Sequence, residues 1–412
     1  MEQIIFALDI GTTKICAIVG EARQGQLRII GIGIEPSHGI KKGMIVNPSE
    51  ASVAIARAVE KAEQTSGYDL SRAFVSMAGE HISSTNSSGT APIGRNEGGI
   101  VAADIGRALE MAQAISIPPN RQIVHLIPRR YQIDDNDEVK NPLGMFGYRL
   151  EVEAHIVTAA AAALQNLSLC TDNVGITTEE FVLNALASAE AVLEPSERDM
   201  GVLLADMGGG TTDLALYTEG MAWHTAVLPI GGNHITNDIA IGLRVPFEVA
   251  ERVKLQYGDC RPKEIDPHNI FTVEPFGGEK IQVGRQDLAY VIEARAEEMF
   301  QMIAANIKDS GYSGLLPAGI VLTGGVAQTR GITDLAQKIL GVPARVAPPK
   351  NLVGLVEAIS SPAYATSVGL LRWAMSEHHV YRPGQVRSGE CLSVQREGKE
   401  HEPEKQRNTA NE

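Results

Sequence analysis

Three observations in the 412-residue sequence predict an α/β protein made of two related halves, with a smaller segment inserted in the first. A strand that ends in Asp, turns through Gly and Thr and resumes as a strand occurs twice, in FALDIGTTKICAIVG (6–20) and VLLADMGGGTTDLALY (202–217). Gly is plentiful at 41 residues while aromatics are only 5%, which suits many strand-to-loop joints better than a β-sandwich. Residues 80–157 interrupt the surrounding pattern with a βαββ-like content of their own.

The elements follow from periodicity and turn chemistry. Alternation predicts strands over Ile4–Asp9, Ile15–Gly20 and Leu27–Ile34, then a helix over Ala51–Gln64 closed by Gly67. A strand follows at 73–78, then an Ile/Ser/Asn/Gly stretch from Ile82 to Gly94 with no assigned period. Within the inserted segment a helix fits Ala102–Ala114, and strands fit Ile123–Ile133 and 148–157. Helices are expected over Thr158–Cys170, with Thr158 as N-cap, and over Thr178–Leu193. After the second hairpin come a strand (Ala222–Ile230), helices (Ile235–Ile241 and Pro246–Tyr257) and a polar stretch over 258–284 with short strands. A long helix from Arg285 to about Ser310, a buried strand Ile320–Leu322 and helices Ile332–Ile339 and Tyr364–Met375 complete the pattern. From Ser376 onward the chain is rich in Lys, Arg and Glu and poor in apolar residues, which reads as a disordered polar tail over 377–412.

A net charge of −14 and a pI near 5.3 argue against a broad nucleic-acid face. Cys16, Cys170, Cys260 and Cys391 have no CxxC spacing and read as small apolar filler in a reducing, cytoplasmic setting. The first strand lacks the flanks of a signal peptide, and no apolar run reaches 18 residues. There is no GxxxxGK[ST], and the Gly31-Ile-Gly33 pair leads to Pro36 instead of a GxGxxG fingerprint. His378-His379 and the Asp134–Glu138 cluster read as solvated chain, not as metal or catalytic sites.

The two hairpins carry the chemistry. Asp9 matches Asp206 and Gly11 matches Gly208, with the later turn read as two residues longer. Gly allows a ligand close to the backbone, and successive N–H groups in such a turn form an anion nest. Thr12, Thr13, Thr211 and Thr212 add hydroxyls, Gly209 and Gly210 extend the second nest, and Lys14 adds a charge for phosphate. A carboxylate beside phosphate requires a cation between them, so Asp9 and Asp206 are expected to hold Mg²⁺ through water. Asp213 either orders those waters or pins the turn. Three further places fit a nucleotide. Gly231, Gly232 and Asn233 open a helix, Gly324, Gly325 and Val326 follow a buried strand, and Glu251 and Lys254 share one helix face. Taken alone, that last pair is an ordinary solvated charge pair.

LDIGTTK, DMGGGTTD, the Gly-Gly helix start and VLTGGVAQ resemble the nucleotide site of the actin, chaperone and sugar-kinase superfamily. VSMAGEHISS (75–84), NPLGMFGYRLEVEAHIVT (141–158), LPIGGNHITNDIA (228–240) and SPAYATSVGLL (361–371) resemble the bacterial FtsA family, over roughly residues 1–375. The resemblance implies an actin-like duplicated fold that clasps ATP and Mg²⁺ between its halves. It implies a protein that polymerises, links FtsZ filaments to the inner face of the membrane and recruits later division proteins through the insert. On that pattern 1–79, 158–198 and 362–376 form the first half, 80–157 the insert, 199–231 and 310–361 the second half, and 232–309 a small subdomain carrying the FtsZ-tail site. In chaperone and bacterial actin relatives a Glu positions the attacking water. Alignment of LNALASAEAVL (183–193) puts Asn184 there, so the resemblance implies weak or no ATPase activity, with no catalytic residue assigned. An actin-style alignment would bring Glu190 near instead, although Glu190 reads better as an exposed helix carboxylate. The family's terminal amphipathic helix has no counterpart in 376–412, so membrane attachment is implied by the family alone. A pilus-assembly scaffold and a small-molecule kinase of the same superfamily are the alternatives.

Overall fold

The structure is a computed structural model, and it describes residues 2–94, 98–134, 139–312 and 314–376. The polar stretch 377–412 with His378, His379 and Cys391, and most of the acidic turn after Asp134, lie outside the described residues.

The chain opens with β1 (Glu2–Ile10), β2 (Lys14–Arg23) and β3 (Gln26–Pro36), followed by the small β4 (Ile40–Lys41) and β5 (Met44–Ile45). Helix α1 (Pro48–Ser66) begins where the Asn47 side chain accepts from the Glu50 N–H, with Pro48 in its first turn, and stops at Gly67 with φ 74°. Then come β6 (Arg72–Met77), β7 (Ile82–Pro92), α2 (Ala102–Gln113), β8 (Arg121–Ile133), β9 (Arg149–Ala160), α3 (Ala161–Asp172), β10 (Thr177–Leu183), α4 (Asn184–Val192) and α5 (Pro195–Met200). The second hairpin is β11 (Val202–Met207) and β12 (Thr212–Thr218), followed by β13 (Met221–Leu228), α6 (Gly232–Leu243) and α7 (Phe247–Tyr257). The remainder is β14 (Ile270–Val273), β15 (Ile281–Gly284), α8 (Arg285–Asp309), β16 (Ile320–Thr323), α9 (Ile332–Leu340), β17 (Ala344–Val346), β18 (Val353–Gly354) and α10 (Ala365–Met375).

Two mixed sheets result, ordered β10-β6-β1-β2-β3-β18 and β13-β12-β11-β16-β17. Each is built on an antiparallel hairpin with a parallel strand against its first member, β6 beside β1 and β16 beside β11. This is the duplication expected from the two sequence copies. Helices α4 and α10 lie between the sheets, in one apolar cluster that takes Ala7 and Ile18 from the first sheet and Leu204 and Ala215 from the second. Helix α1 backs the first sheet, and α6, α7, α8 and α9 back the second. The insert is a separate antiparallel sheet, β7-β9-β8, with its own core shared with α2.

Three elements depart from the sequence expectation. Thr158 does not cap a helix, because β9 continues to Ala160 paired with both neighbours. The stretch read as one helix over Thr178–Leu193 is strand β10 followed by α4. Phe181, Val182 and Leu183 pair with β6, and a short apolar run of this kind has no period that separates strand from helix. Ile82–Pro92 is a full strand, although Ser, Asn and Gly weaken its β signal, because β9 pairs with it along its length.

Candidate functional site

The hairpins are closed in the same way. The Gly11 N–H donates to the Lys14 carbonyl at 3.0 Å, and the Gly208 N–H to the Thr211 carbonyl at 2.9 Å. In the ladders Asp9 faces Cys16, and Asp206 faces Asp213. Both pairs are seven positions apart, so the second turn is not longer than the first and the reading of two extra residues is corrected. The tips meet. A Cβ on Gly209 would lie 2.3 Å from the Thr13 methyl, and one on Gly210 would lie 2.6 Å from the Thr12 hydroxyl.

A cavity of about 520 Å³ lies along this meeting. Its wall includes Asp9, Gly11, Thr12, Thr13 and Lys14 from the first hairpin and Asp206, Gly208, Gly209, Gly210 and Thr211 from the second. Gly232, Asn233, Glu251, Lys254, Gly324, Gly325 and Val326 also line it. Of the residues expected at the site, only Thr212 and Gly231 are absent from this wall. The Thr212 hydroxyl is buried and donates to the Ile230 carbonyl, and Gly231 packs behind the backbone of Gly208 and Gly209. The Gly232 and Asn233 N–H groups donate to the Gly208 and Gly209 carbonyls, so they brace the second hairpin instead of standing open to an anion. Lys14 donates to the Ala363 carbonyl and lies over the Tyr364 ring.

The carboxylates are buried. Asp9 accepts from Ser76 Oγ at 3.0 Å and Ser367 Oγ at 2.7 Å. Asp206 Oδ2 accepts from Ser188 Oγ and from Thr366 Oγ1. Burial raises the Asp206 pKa, opposed by those two hydroxyls and reinforced by the charge on Asp9. Burial, then the neighbouring Asp206 charge, pushes Asp213 well above the usual carboxylate range. Thr211 donates to Asp213 Oδ2, whereas Oδ1 is buried without a hydrogen-bond partner among the described residues. Buried carboxylates crowded in this way are settled either by a proton or by a nearby cation. Among the described residues no three His, Cys, Asp or Glu converge closely enough to ligate an ion, so the donor set fits a hydrated ion better than a directly caged one.

Glu251 and Lys254, also in the cavity wall, lie 2.7 Å apart. They are not a freely solvated pair. Lys254 Nζ donates to the Gly232 carbonyl and Thr236 Oγ1, and Thr236 donates to Glu251. Gln328, Thr329 and Arg330 line the cavity as well. Asn184 lines the cavity with a buried Oδ1 that lacks a partner among the described residues. Glu190 lies elsewhere, paired with Arg198 at 2.8 Å and largely covered, so it is neither a cavity residue nor an exposed carboxylate.

Residues 203–369 match the family model for cell division protein FtsA, and residues 79–158 match the model for the SHS2 domain inserted in FTSA. The chain is 42% identical over 377 residues to the cell division protein FtsA of Pseudomonas aeruginosa, covering 91% of this chain and 90% of that one. The chain belongs to the FtsA family. Relatives of the same description are 38% identical in Bacillus subtilis and 33% identical in Escherichia coli, covering 90% and 91% of this chain and 83% and 91% of theirs. The fold is also that of a type IV pilus biogenesis PilM–PilN complex chain (TM-score 0.67, 16% identity, 90% and 98% coverage). It is shared with ADP-bound MreB5 of Spiroplasma citri (TM-score 0.55, 14% identity, 90% and 96% coverage). The actin-like duplicated α/β fold and the insert expected from the sequence are thus both present. The matched insert, 79–158, coincides within a residue at each end with the segment whose pattern departs from its surroundings.

The hydroxyls of Ser76, Ser188, Thr366 and Ser367 escaped sequence reading. Ser76 lies in VSMAGEHISS and Ser188 in LNALASAEAVL, yet nothing local in either stretch points to an Asp, and all four hydroxyls reach the Asp residues only through the fold. SPAYATSVGLL had marked the stretch holding two of them, though not their role.

Proposed function

We propose that this FtsA-family chain binds ATP with Mg²⁺ between its halves and acts as a polymerising scaffold of cell division. In this reading it links FtsZ filaments to the inner face of the membrane and recruits later division proteins through the insert. The observation that carries the nucleotide reading is the pair of identically closed hairpins meeting over one cavity beside buried carboxylates. Gly11–Thr13 and Gly208–Thr211 would cradle phosphates, Asp9 and Asp206 would hold the hydrated Mg²⁺, and Glu251 and Lys254 would meet the ribose and base. The bound metal supplies neutralisation of phosphate charge. Asn184 can hold a water with its free Oδ1 but cannot take a proton from it, which supports slow hydrolysis or none. The likeness to the pilus complex shows a shared fold and does not favour that role over division.

Titration calorimetry with ATP and Mg²⁺ tests the site, and co-sedimentation with FtsZ and lipid vesicles tests the scaffold role. The double variant Asp206→Ala/Gly209→Val is expected to lose ATP binding, since the valine side chain would occupy the Thr13 contact. Undiminished binding contradicts the two-hairpin site. Wild-type protein that, loaded with ATP, neither assembles nor sediments with FtsZ contradicts the scaffold.

A further inference from the structure

We infer that Ser188, Thr366 and Ser367 are positioning residues that hold the two clamp carboxylates in shape for a hydrated cation, making helices α4 and α10 part of the metal site. The inference rests on the ATP–Mg²⁺ reading above and adds residues to it. Asp206 stands on β11 of the second sheet, yet the hydroxyls on its Oδ2 come from α4 and α10, the helices between the sheets. Asp9 stands on β1 and takes Ser367 of α10 on Oδ2 and Ser76 of β6 on Oδ1. Thr366 and Ser367 are adjacent, so one turn of α10 grips a carboxylate from each half. Ser188 and Thr366 lie 2.9 Å apart and converge on one oxygen.

The donor type matters. A Lys or Arg at these positions would neutralise the carboxylates and remove the reason for a cation. A hydroxyl favours the ionised form and fixes its orientation while leaving its charge in place. Both donors load Oδ2 of Asp206, and Oδ1 is left beside Gly324, where a Cβ would stand 2.5 Å away. Only a residue without a Cβ can pack this close to Oδ1. The hydroxyls therefore fix the rotation of the carboxylate by holding Oδ2 and leave Oδ1 without a side-chain donor from either helix.

The experiment measures ATP affinity of the full chain in excess Mg²⁺ and in EDTA, and takes the ratio. Ser188→Ala/Thr366→Val removes both donors from Asp206. It is expected to lower the Mg²⁺-dependent gain about tenfold, the weight of a charge-assisted hydrogen bond, while affinity in EDTA stays within about twofold. Each single alanine or valine variant leaves one donor and is expected to lower the gain by about two- to threefold. Thr366→Ser keeps the hydroxyl, fits where Thr fits and is expected to behave as wild type. An unchanged ratio in a folded double variant, or an equal loss in both buffers, overturns the inference. Should the double variant not fold, the single variants decide: wild-type ratios in both Ser188→Ala and Thr366→Val overturn it. Wild-type protein that binds no ATP in either buffer overturns the nucleotide reading and this inference together.

Discussion

Asp206 faces another carboxylate across its ladder, whereas the equivalent Asp9 faces Cys16, a thiol that burial pushes up to about 12 and so keeps neutral. The duplicated clamp is therefore asymmetric in its ionisable groups: Asp206 and Asp213 crowd the second hairpin, each disfavouring charge on the other, and Asp213 Oδ1 is buried without a partner among the described residues. Gly324 packs against the other carboxylate of the pair, at Asp206 Oδ1. Its φ of 85° suits glycine, and a methyl there would meet Asp206 Oδ1 and the Met207 carbonyl at 2.5 Å. Gly324→Ala is expected to cost roughly 2 kcal/mol of stability from the left-handed backbone and contact strain combined. It should also weaken ATP binding in Mg²⁺. Urea denaturation and calorimetry check this, and a neutral result on both would mean that the strand end relaxes freely. The Asp, Gly and Thr residues of this site were legible because each copy is contiguous in sequence. Ser367 was not, since its partner Asp9 is 358 residues away and no local pattern announces a hydroxyl that reaches across the fold.

Helices α4 and α10 cross closely enough that a Cβ on Gly369 would fall 1.8 Å from the Ala187 carbonyl. The crossing is closed further along by Arg372 Nη1, which donates to the carbonyls of Glu190 and Ala191 at the end of α4. The contact brings Ser188 and Thr366 together. Gly369→Ala must separate the helices, and an overpacked, backbone-limited contact of this kind is expected to cost roughly 3 kcal/mol. Chemical denaturation of apo protein measures it; a loss below about 1 kcal/mol would show that the helices slide without penalty. The long helices and the strands of both hairpins were legible from periodicity. The junction feeding this crossing was not, because β10 supplies only Phe181, Val182 and Leu183 as its apolar run before α4 begins, and parallel pairing to β6 decides its state. Strand β7 was legible only as the first strand of the insert's βαββ-like content, since its polar sequence takes its structure from β9.

At the scale of the molecule the insert bridges the two sheets. Strand β9 runs straight into α3 beside the first sheet, while the same inserted sheet docks on β13, the edge strand of the second. The dock is polar and buried. His155 Nδ1 contacts Asn86 Oδ1 at 2.7 Å, and its Nε2 accepts the Thr225 N–H at 3.1 Å, which fixes a neutral ring with the proton on Nδ1. Ser84 donates to the Thr225 carbonyl, and Arg129, paired with Glu153, lies 3.5 Å from the centre of the Trp223 ring. Strand β13 leads on to the bracing glycines of the cavity, so the dock and the cavity wall share one continuous segment. Burial first, then the nearby His224 and Arg129, lowers the His155 pKa to about 3. A base with a depressed folded pKa stays neutral in the dock while the released ring, titrating near 6.5, takes up a proton. Docking is thus at full strength above pH 6.5 and weakens as pH falls towards 3, by on the order of 2 kcal/mol at pH 5. The sequence has two tryptophans, so Trp373→Phe leaves Trp223 as the reporter of this contact. Its emission is expected to shift to the red between pH 6.5 and 5, before the far-ultraviolet circular dichroism changes. His155→Gln should abolish that pH dependence while starting from a looser dock at pH 7.5, since one amide cannot reproduce both ring contacts. Emission that holds steady to pH 4 in the Trp373→Phe protein, or an acid shift that survives His155→Gln, would remove His155 from the latch.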